Sequence, residues 1–491
     1  MISFRFLLVA VSLGLLFSAS VTAEEERPNV LFIAVDDLRT ELGCYGIPEV
    51  ESPHLDQLAA QGMLFRRHYV QVPTCGASRF ALLTGRSPAR TGAYANSVFY
   101  AGKNRLSAKQ LPGAQTMPEL FRRSGYHTVS IGKISHTADG KVYEYDGSGD
   151  GREEMPGAWN EDATPYGDWK RGWGIFFAYE GGSHREDGSG RQDLFEFTAK
   201  RDEDLPDGML AAAAIKKLSE LKDREEPFFL GIGFIKPHLP FVATQQDWEA
   251  VAQREMTPPQ SPNQLDSTFW HRSGEFYRYD APHEKSTPLA TADALTVKRG
   301  YLACVRYVDR QIGKVLNELE RLNLADNTIV VVWGDHGWHL GEYAIWGKHA
   351  PYERTLNSTL IVRAPGVTQP GSISDALVDS IDIYPTLIEL CQPRFQKTAH
   401  QLDGVSLRPL LTGQVEQVHD VSLSYWRGGA TSIRSPTHRL IVKRQEGKPP
   451  IHELYDLRQS SDPTENLAAS RPKLVAELLR KKDSRQKSGK R

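Results

Sequence analysis

The chain has 491 residues, enough for about three average domains or for one large α/β body, so core burial sets no limit on it. Lys and Arg total 59 against 61 for Asp and Glu, a formal net charge of −2, which argues against a nucleic-acid binder held by a basic field and points to a small-molecule or glycan ligand. Four cysteines are too few for a disulfide scaffold in a chain of this size.

The first segment, "MISFRFLLVAVSLGLLFSASVTA", carries one Arg, a short apolar run from Phe6 to Phe17 and small residues up to Ala23. It reads as a signal peptide over 1–23, so the mature protein is expected to be exported to a periplasm or the extracellular space, or to a lysosome-like compartment in a eukaryote. No other segment is long and apolar enough to span a bilayer, so no stable membrane insertion is expected.

Four β-branched or aromatic runs then end in polar clusters. "NVLFIAV" (29–35) runs into Asp36 and Asp37, and "HTVSIG" (127–132) into Lys133 and His136. "PFFLGIGF" (227–234) leads to Lys236, Pro237 and His238, and "NTIVVVWG" (327–334) to Asp335, His336 and Gly337. Helical patterns alternate with them. "SPHLDQLAAQG" (52–62) has Ser52 to cap it, Pro53 at its first position and Gly62 to stop it. This alternation predicts a large, mostly parallel sheet flanked by helices, in which ligands bind at the carboxyl ends of the strands. Each polar cluster alone has a structural explanation as a cap or a tight turn. All four occupy the same end of a strand, and that coincidence carries the functional reading.

The main body is expected over 24–414, with long Gly- and acid-rich loops at 139–210 on its active face. A small α+β subdomain with an antiparallel sheet follows over 415–480, and 481–491 reads as a solvated basic tail. Among the cysteines, Cys304 lies on a helical pattern and reads as a packed thiol, and the sequence leaves open whether Cys44 and Cys391 pair.

Asp36, Asp37 and Asp335 would bring three carboxylates together, which needs a cation. Oxygen ligands suit a hard ion, Ca²⁺ by preference with Mg²⁺ as the alternative; zinc lacks a compact His/Cys set. Arg79, Lys133, Lys348, His136 and His238 add positive charge or donors, a combination built for a tetrahedral oxyanion and hence for sulfate or phosphate esters. Within "VPTCGASRFALLTGR" (72–86), Cys75 opens a helix, and the helix N-terminus with Arg79 is expected to lower its pKa. A plain thiolate is nevertheless an odd neighbour for a hard cation.

Cys75-Gly76-Ala77-Ser78-Arg79 resembles the signature of type I sulfatases, whose cysteine is oxidised after translation to formylglycine. "PNVLFIAVDDLRTELGCYG", "GKISH", "KPHLPF", "GDHGWHLGEYAIWGKH" and "ELYDLRQSSDPTENLA" are similar to further elements of that family, in order, over nearly the whole mature chain. "VDDLR", "GFIKPHLPF" and His336 after Asp335 are most similar to the iduronate-2-sulfatase branch. Ala77 stands where the commonest signature has Pro, which leaves the maturation enzyme undecided. The resemblance implies an alkaline-phosphatase-like sandwich and hydrolysis of a carbohydrate sulfate ester, a 2-O-sulfated uronate at branch level. It also implies a partner, a formylglycine-generating or anaerobic sulfatase-maturating enzyme.

The roles it implies follow residue by residue. Asp36, Asp37, Asp335 and His336, with formylglycine at 75, hold the cation. The hydrated aldehyde attacks sulfur, His238 or Lys348 protonates the leaving oxygen, His136 takes the proton that frees sulfate, and Arg79 and Lys133 orient the diol. Trp338, His339, Trp346 and His349 are candidate sugar contacts, although core packing explains a Trp equally well. Two rivals stand beside this reading: a phosphate or phosphonate ester hydrolase of the same superfamily, and a non-catalytic glycan-binding protein with unmodified Cys75.

Overall fold

The computed structural model describes residues 27–488. The expected signal peptide at 1–23 lies outside the described residues. The principal strands are β1 (Asn29–Val35), β2 (Met63–Phe65), β3 (His127–Gly132), β4 (Glu161–Asp162), β5 (Phe228–Phe234), β6 (Thr328–Gly334), β7 (Leu360–Arg363) and β8 (Ser372–Ser374). They form one eight-stranded sheet in the order β8-β2-β7-β6-β1-β5-β3-β4. Only β7 runs antiparallel to its neighbours, β2 and β6. Each of the four apolar runs singled out in the sequence forms a strand of this sheet, with two starting one residue later than expected.

Both faces are covered, as near-continuous apolar strands require. Leu31, Ile33 and Val35 of β1 point into one core, and Val30, Phe32 and Ala34 into the other. The first core is closed by α1 (Pro53–Gln61), the second by α2 (Cys75–Thr84) and α3 (Met117–Arg123). On the first side lie α4 (Pro206–Leu221) and the long α5 (Thr291–Arg321), whose Val297, Tyr301, Val305, Val308 and Ile312 are all buried. On the second lies α6 (Ile383–Cys391).

Helix α1 begins and ends where expected, but its cap differs. The Ser52 side chain does not cap it; Ser52 Oγ accepts from Gly43 N at 2.8 Å and donates to Asp56 at 3.0 Å. Asp309 on α5 instead accepts the Leu55 and His54 amides, at 2.8 and 3.3 Å. The orphan donors of a helix start need an acceptor, not a neighbour in sequence.

After the main body, β9 (Ser422–Trp426), β10 (Ala430–Arg434), β11 (His438–Gln445) and β12 (Lys448–Asp456) make a four-stranded antiparallel sheet. Helix α7 (Pro472–Ser488) follows. The stretch read as a solvated tail from 481 is therefore helical as far as 488, and Arg485 reaches back to Asp379 at 3.0 Å and His419 at 2.8 Å. A basic composition concealed one arginine that is spent inside the molecule. All four cysteines are free thiols, so Cys44 and Cys391 are not paired. Among the described residues no helix is long and apolar enough to cross a membrane.

Candidate active site

Three central strands end level. Val35 of β1 is in register with Phe234 of β5 and Gly334 of β6, so the residues that follow emerge at one height. Asp36 N donates to Phe234 O at 3.2 Å, Asp335 N to Val35 O at 3.1 Å, and Lys133 N to Gly233 O at 2.9 Å. Asp37 adopts a left-handed conformation, φ 61°, uncommon for a residue with a side chain. Its amide donates to Asp335 Oδ1 at 3.0 Å, and its carbonyl accepts from the Tyr301 hydroxyl of α5 at 2.8 Å.

Cys75 opens α2 and is buried, with Sγ 3.2 Å from His336 Nε2. Next to it Gly76 has no room for a side chain, because a Cβ there would lie 2.3 Å from the Asn96 carbonyl. Behind it, Ser78 donates to the Asp335 carbonyl at 2.5 Å, and Arg79 Nε donates to Asp335 Oδ2 at 2.8 Å. Helix α2 is thus clamped to the loop after β6.

One ligand atom from each of Asp36, Asp37, Cys75 and His336 lies within 4.8 Å of the others. Asp335 stands beside this group, with Oδ1 3.7 Å from His336 Nε2 and Oδ2 turned to Arg79. The group fits a cation on its own chemistry: Asp36 and Asp37 are both fully buried, and Asp36 Oδ1 has no hydrogen-bond partner. Burial pushes Asp37 well above the usual carboxylate range, with Asp36, Asp335 and Glu275 adding to it against Lys348. For Asp36, burial acts upward too, but Lys133, His238, Lys348 and Arg79 outweigh it and hold the carboxyl well below that range.

Four of the expected catalytic side chains, Arg79, Lys133, Lys348 and His238, reach this group. Lys133 Nζ bonds Asp36 Oδ2, and Lys348 Nζ bonds Asp37 at 3.0 Å. His238 Nε2 is 3.9 Å from Asp37, and its Nδ1 is fixed 2.6 Å from the Leu239 carbonyl. His136 lies against Trp173, ring centres 5.6 Å apart, with Nδ1 unbonded. Burial first, then Lys133, depresses the His136 pKa; burial and then Lys348 do the same for His238. Burial acts downward on Lys348 as well, but Asp37, Cys75, Glu275 and Asp36 outweigh it and move the ammonium the other way, well above its ordinary value.

One expectation is overturned here. Burial and then Asp36 push the Cys75 thiol well above its ordinary value against the pull of Lys133 and Lys348, so it is not the lowered thiol that its helix position suggested. The helix N-terminus is present, but the surrounding carboxylates and the lack of water decide the outcome.

The four candidate sugar contacts divide. Trp338 lies 5.4 Å from Lys348 Nζ, and His349 Nδ1 is 2.9 Å from Thr74, beside Cys75. Trp346 packs on Phe276 at 5.5 Å, His339 is buried against Tyr343 and Tyr352, and Trp338 is as buried as Trp346 in the same core, so these three are placed as core. Sequence reasoning missed Glu275. Its carboxylate lies 3.7 Å from His238 Nε2, from Lys348 Nζ and from Arg185 Nη1. It sits in a long irregular stretch without motif or periodicity, and no local signal marks it.

The family model for sulfatases matches residues 28–392. The chain belongs to the sulfatase family. It is accordingly a sulfuric ester hydrolase. A second model, for the C-terminal region of N-sulphoglucosamine sulphohydrolase, matches residues 341–487. The chain is 31% identical to a sulfatase of Formosa agariphila over 75% of this chain and 70% of the other. It is 30% identical to human iduronate 2-sulfatase over 82% of this chain and 72% of the other. Among solved structures, a protein in complex with its substrate D-glucosamine-2-N,6-O-disulfate shares the fold, with TM-score 0.70 and 20% identity over 95% of this chain and 98% of that one. So does the phosphonate monoester hydrolase of Silicibacter pomeroyi, with TM-score 0.69 and 22% identity over 94% and 95% of the two chains.

Proposed function

We propose that this sulfatase removes the sulfate from a 2-O-sulfated uronate in a saccharide, using formylglycine made from Cys75. The single observation that carries the mechanism is position 75 itself. A buried thiol, pushed up, touching His336 and ringed by Asp36, Asp37, Lys133 and Lys348, is a poor thiolate but a well-placed precursor. The 30% identity to human iduronate 2-sulfatase supports the substrate. Formylglycine would supply, once hydrated, an oxygen nucleophile, and a hard divalent cation, Ca²⁺ by preference, would neutralise the carboxylates and the sulfate oxygens.

The chain's own residues divide the remaining work. Asp36, Asp37 and His336 would hold the cation, and Asp335 would steady the group through the Asp37 amide and Arg79. Lys133 and Arg79 hold positive charge beside the reacting centre. Of the two candidate acids, Lys348 Nζ lies 3.0 Å from Asp37 and 3.7 Å from Glu275 and is shifted upward where His238 is shifted downward, which assigns to it the proton for the leaving sugar oxygen. His136, whose pKa burial and Lys133 depress, would accept the proton that must leave position 75 before sulfate is released.

The mass of the proteolytic peptide carrying residue 75, from protein matured in its native host, tests the first half. The change expected for a thiol-bearing carbon oxidised to an aldehyde supports the nucleophile, and an intact thiol in active protein rejects it. A panel of 2-O-, 4-O- and 6-O-sulfated saccharides tests the second half. Preference for any other position rejects the uronate 2-O-sulfate.

A further inference from the structure

An aromatic wall lines one side of the active site. Lys133 Nζ lies 4.1 Å from the Phe176 ring centre, and the His238 ring packs on Phe176 at 4.5 Å. Trp173 stacks on Phe177 at 6.0 Å and meets the His136 ring at 5.6 Å. The wall ends in Tyr145, whose ring stands edge-on to Trp173 at 4.8 Å and to Phe177 at 5.7 Å. Trp173 and Phe177 are buried, but Tyr145 is 43% exposed, one of few large apolar side chains to be so.

The support under Tyr145 is rigid. The Arg185 guanidinium lies 3.5 Å from the Phe177 ring centre, donates to the Tyr279 hydroxyl at 2.8 Å and pairs with Glu186 at 2.8 Å. The same guanidinium lies 6.0 Å from the Tyr145 ring centre and 3.7 Å from Glu275, whose carboxylate is 3.7 Å from Lys348, so it links the base of Tyr145 to the site. An exposed ring on a packed aromatic base is a surface suited to the apolar face of a sugar.

Glu275 completes the picture. Among the described residues its carboxylate accepts no hydrogen bond, although three cations or donors stand 3.7 Å away, and its side chain is 21% exposed. It presents open lone pairs next to Lys348, the group that meets the leaving oxygen. In a uronate 2-O-sulfate the C3 hydroxyl is vicinal to the ester, and a carboxylate beside the group that meets the leaving oxygen is placed to accept from it.

We infer that Tyr145 and Glu275 read the sugar: Tyr145 stacks on the apolar C–H face of the pyranose ring, and Glu275 accepts a hydrogen bond from the hydroxyl vicinal to the ester. The inference rests on the reading of the substrate as a sugar sulfate, and it makes the pair specificity-determining residues for that class. An acyclic alkyl sulfate would engage neither.

Tyr145→Ala, Tyr145→Trp and Glu275→Gln, assayed on sulfated pyranosides and on analogues with the vicinal hydroxyl replaced by hydrogen, test this. Tryptophan fluorescence reports saccharide binding in parallel, without turnover. Tyr145→Ala is expected to weaken binding and raise KM about tenfold with kcat nearly unchanged, and Tyr145→Trp to restore both. Glu275→Gln is expected to lower kcat/KM about ten- to hundredfold on the full substrate and far less on the deoxy analogue. Unchanged binding and KM in Tyr145→Ala overturn the platform. Equal losses on both substrates in Glu275→Gln overturn the hydroxyl contact. Saccharide that binds wild type, is weakened by Tyr145→Ala and is not hydrolysed supports the platform while rejecting the substrate reading, so the two failures are distinct.

Discussion

Lys348 and His238 both face Asp37 and Glu275, yet their surroundings shift the lysine upward and the histidine downward, and this separates their proposed roles. Lys348→Met is expected to lower kcat on a sugar sulfate about 10²–10⁴-fold, the range lost with a general acid. On an aryl sulfate, whose phenolate leaves without help, the loss should be much smaller. Parallel kcat measurements on the two esters check this, and equal losses would assign Lys348 to binding. Treatment with a strong chelator should abolish turnover, with Ca²⁺ restoring more of it than Mg²⁺ at matched concentration; full activity after exhaustive chelation would remove the cation from the mechanism. At this scale the sequence was informative wherever a residue followed a strand. Asp36, Lys133, His238 and Asp335 could be grouped because strand ends converge. Tyr145 falls within the 139–210 loops expected on the active face but has no motif to single it out, and Glu275 lies on a loop whose position only the folded chain defines.

Among the elements, α1 and the C-terminal sheet make opposite pH predictions. Burial pushes the Asp309 carboxyl up to about 7, above its unfolded value, so its contribution is full below the unfolded pKa and is lost as pH rises through 7. Asp309→Asn should therefore gain stability relative to wild type at pH 8 compared with pH 4, by about a few kcal/mol at most. Glu353 is the reverse case. Burial acts upward on it, but Arg434 and Arg439 of the small sheet hold it down to about 2. Its stabilisation is present above the unfolded carboxyl value and disappears as pH falls toward 2. Glu353→Gln should cost about 3 kcal/mol near neutrality by leaving two buried arginines without their partner, and the gap to wild type should close in acid. Calorimetric melting across pH reads both. Neither pairing was visible beforehand, because each joins segments tens to hundreds of residues apart and no local period encodes it.

Across the whole molecule, the small sheet and α7 are bolted to the main body rather than appended. Trp426 Nε1 donates to the His349 carbonyl at 2.6 Å, and Arg485 lies between Asp379 and His419. Arg485→Met is expected to destabilise the protein by about 3–5 kcal/mol, since Asp379 and Asp382 would remain buried without that cation. A melting temperature equal to wild type would show that the helix end is dispensable. The overall architecture was legible from alternation alone, and the subdomain from its change of texture. The mode of attachment was not, because composition counts a buried arginine and a solvated one alike.

The burial of Cys75 also fixes an order of events in time. With 3% of its surface exposed, at the base of a helix clamped by Ser78 and Arg79 to the loop after β6, the thiol is closed to any protein-sized catalyst once the sheet has formed. On the formylglycine reading proposed above, conversion to the aldehyde would precede folding, in a window between synthesis and the pairing of β1 with β6, whose residues lie nearly 300 positions apart. Maturation enzyme added to folded protein should leave the thiol intact, whereas the same enzyme given the unfolded chain should convert it. Chains that fold too quickly would be stable, correctly shaped and permanently inert.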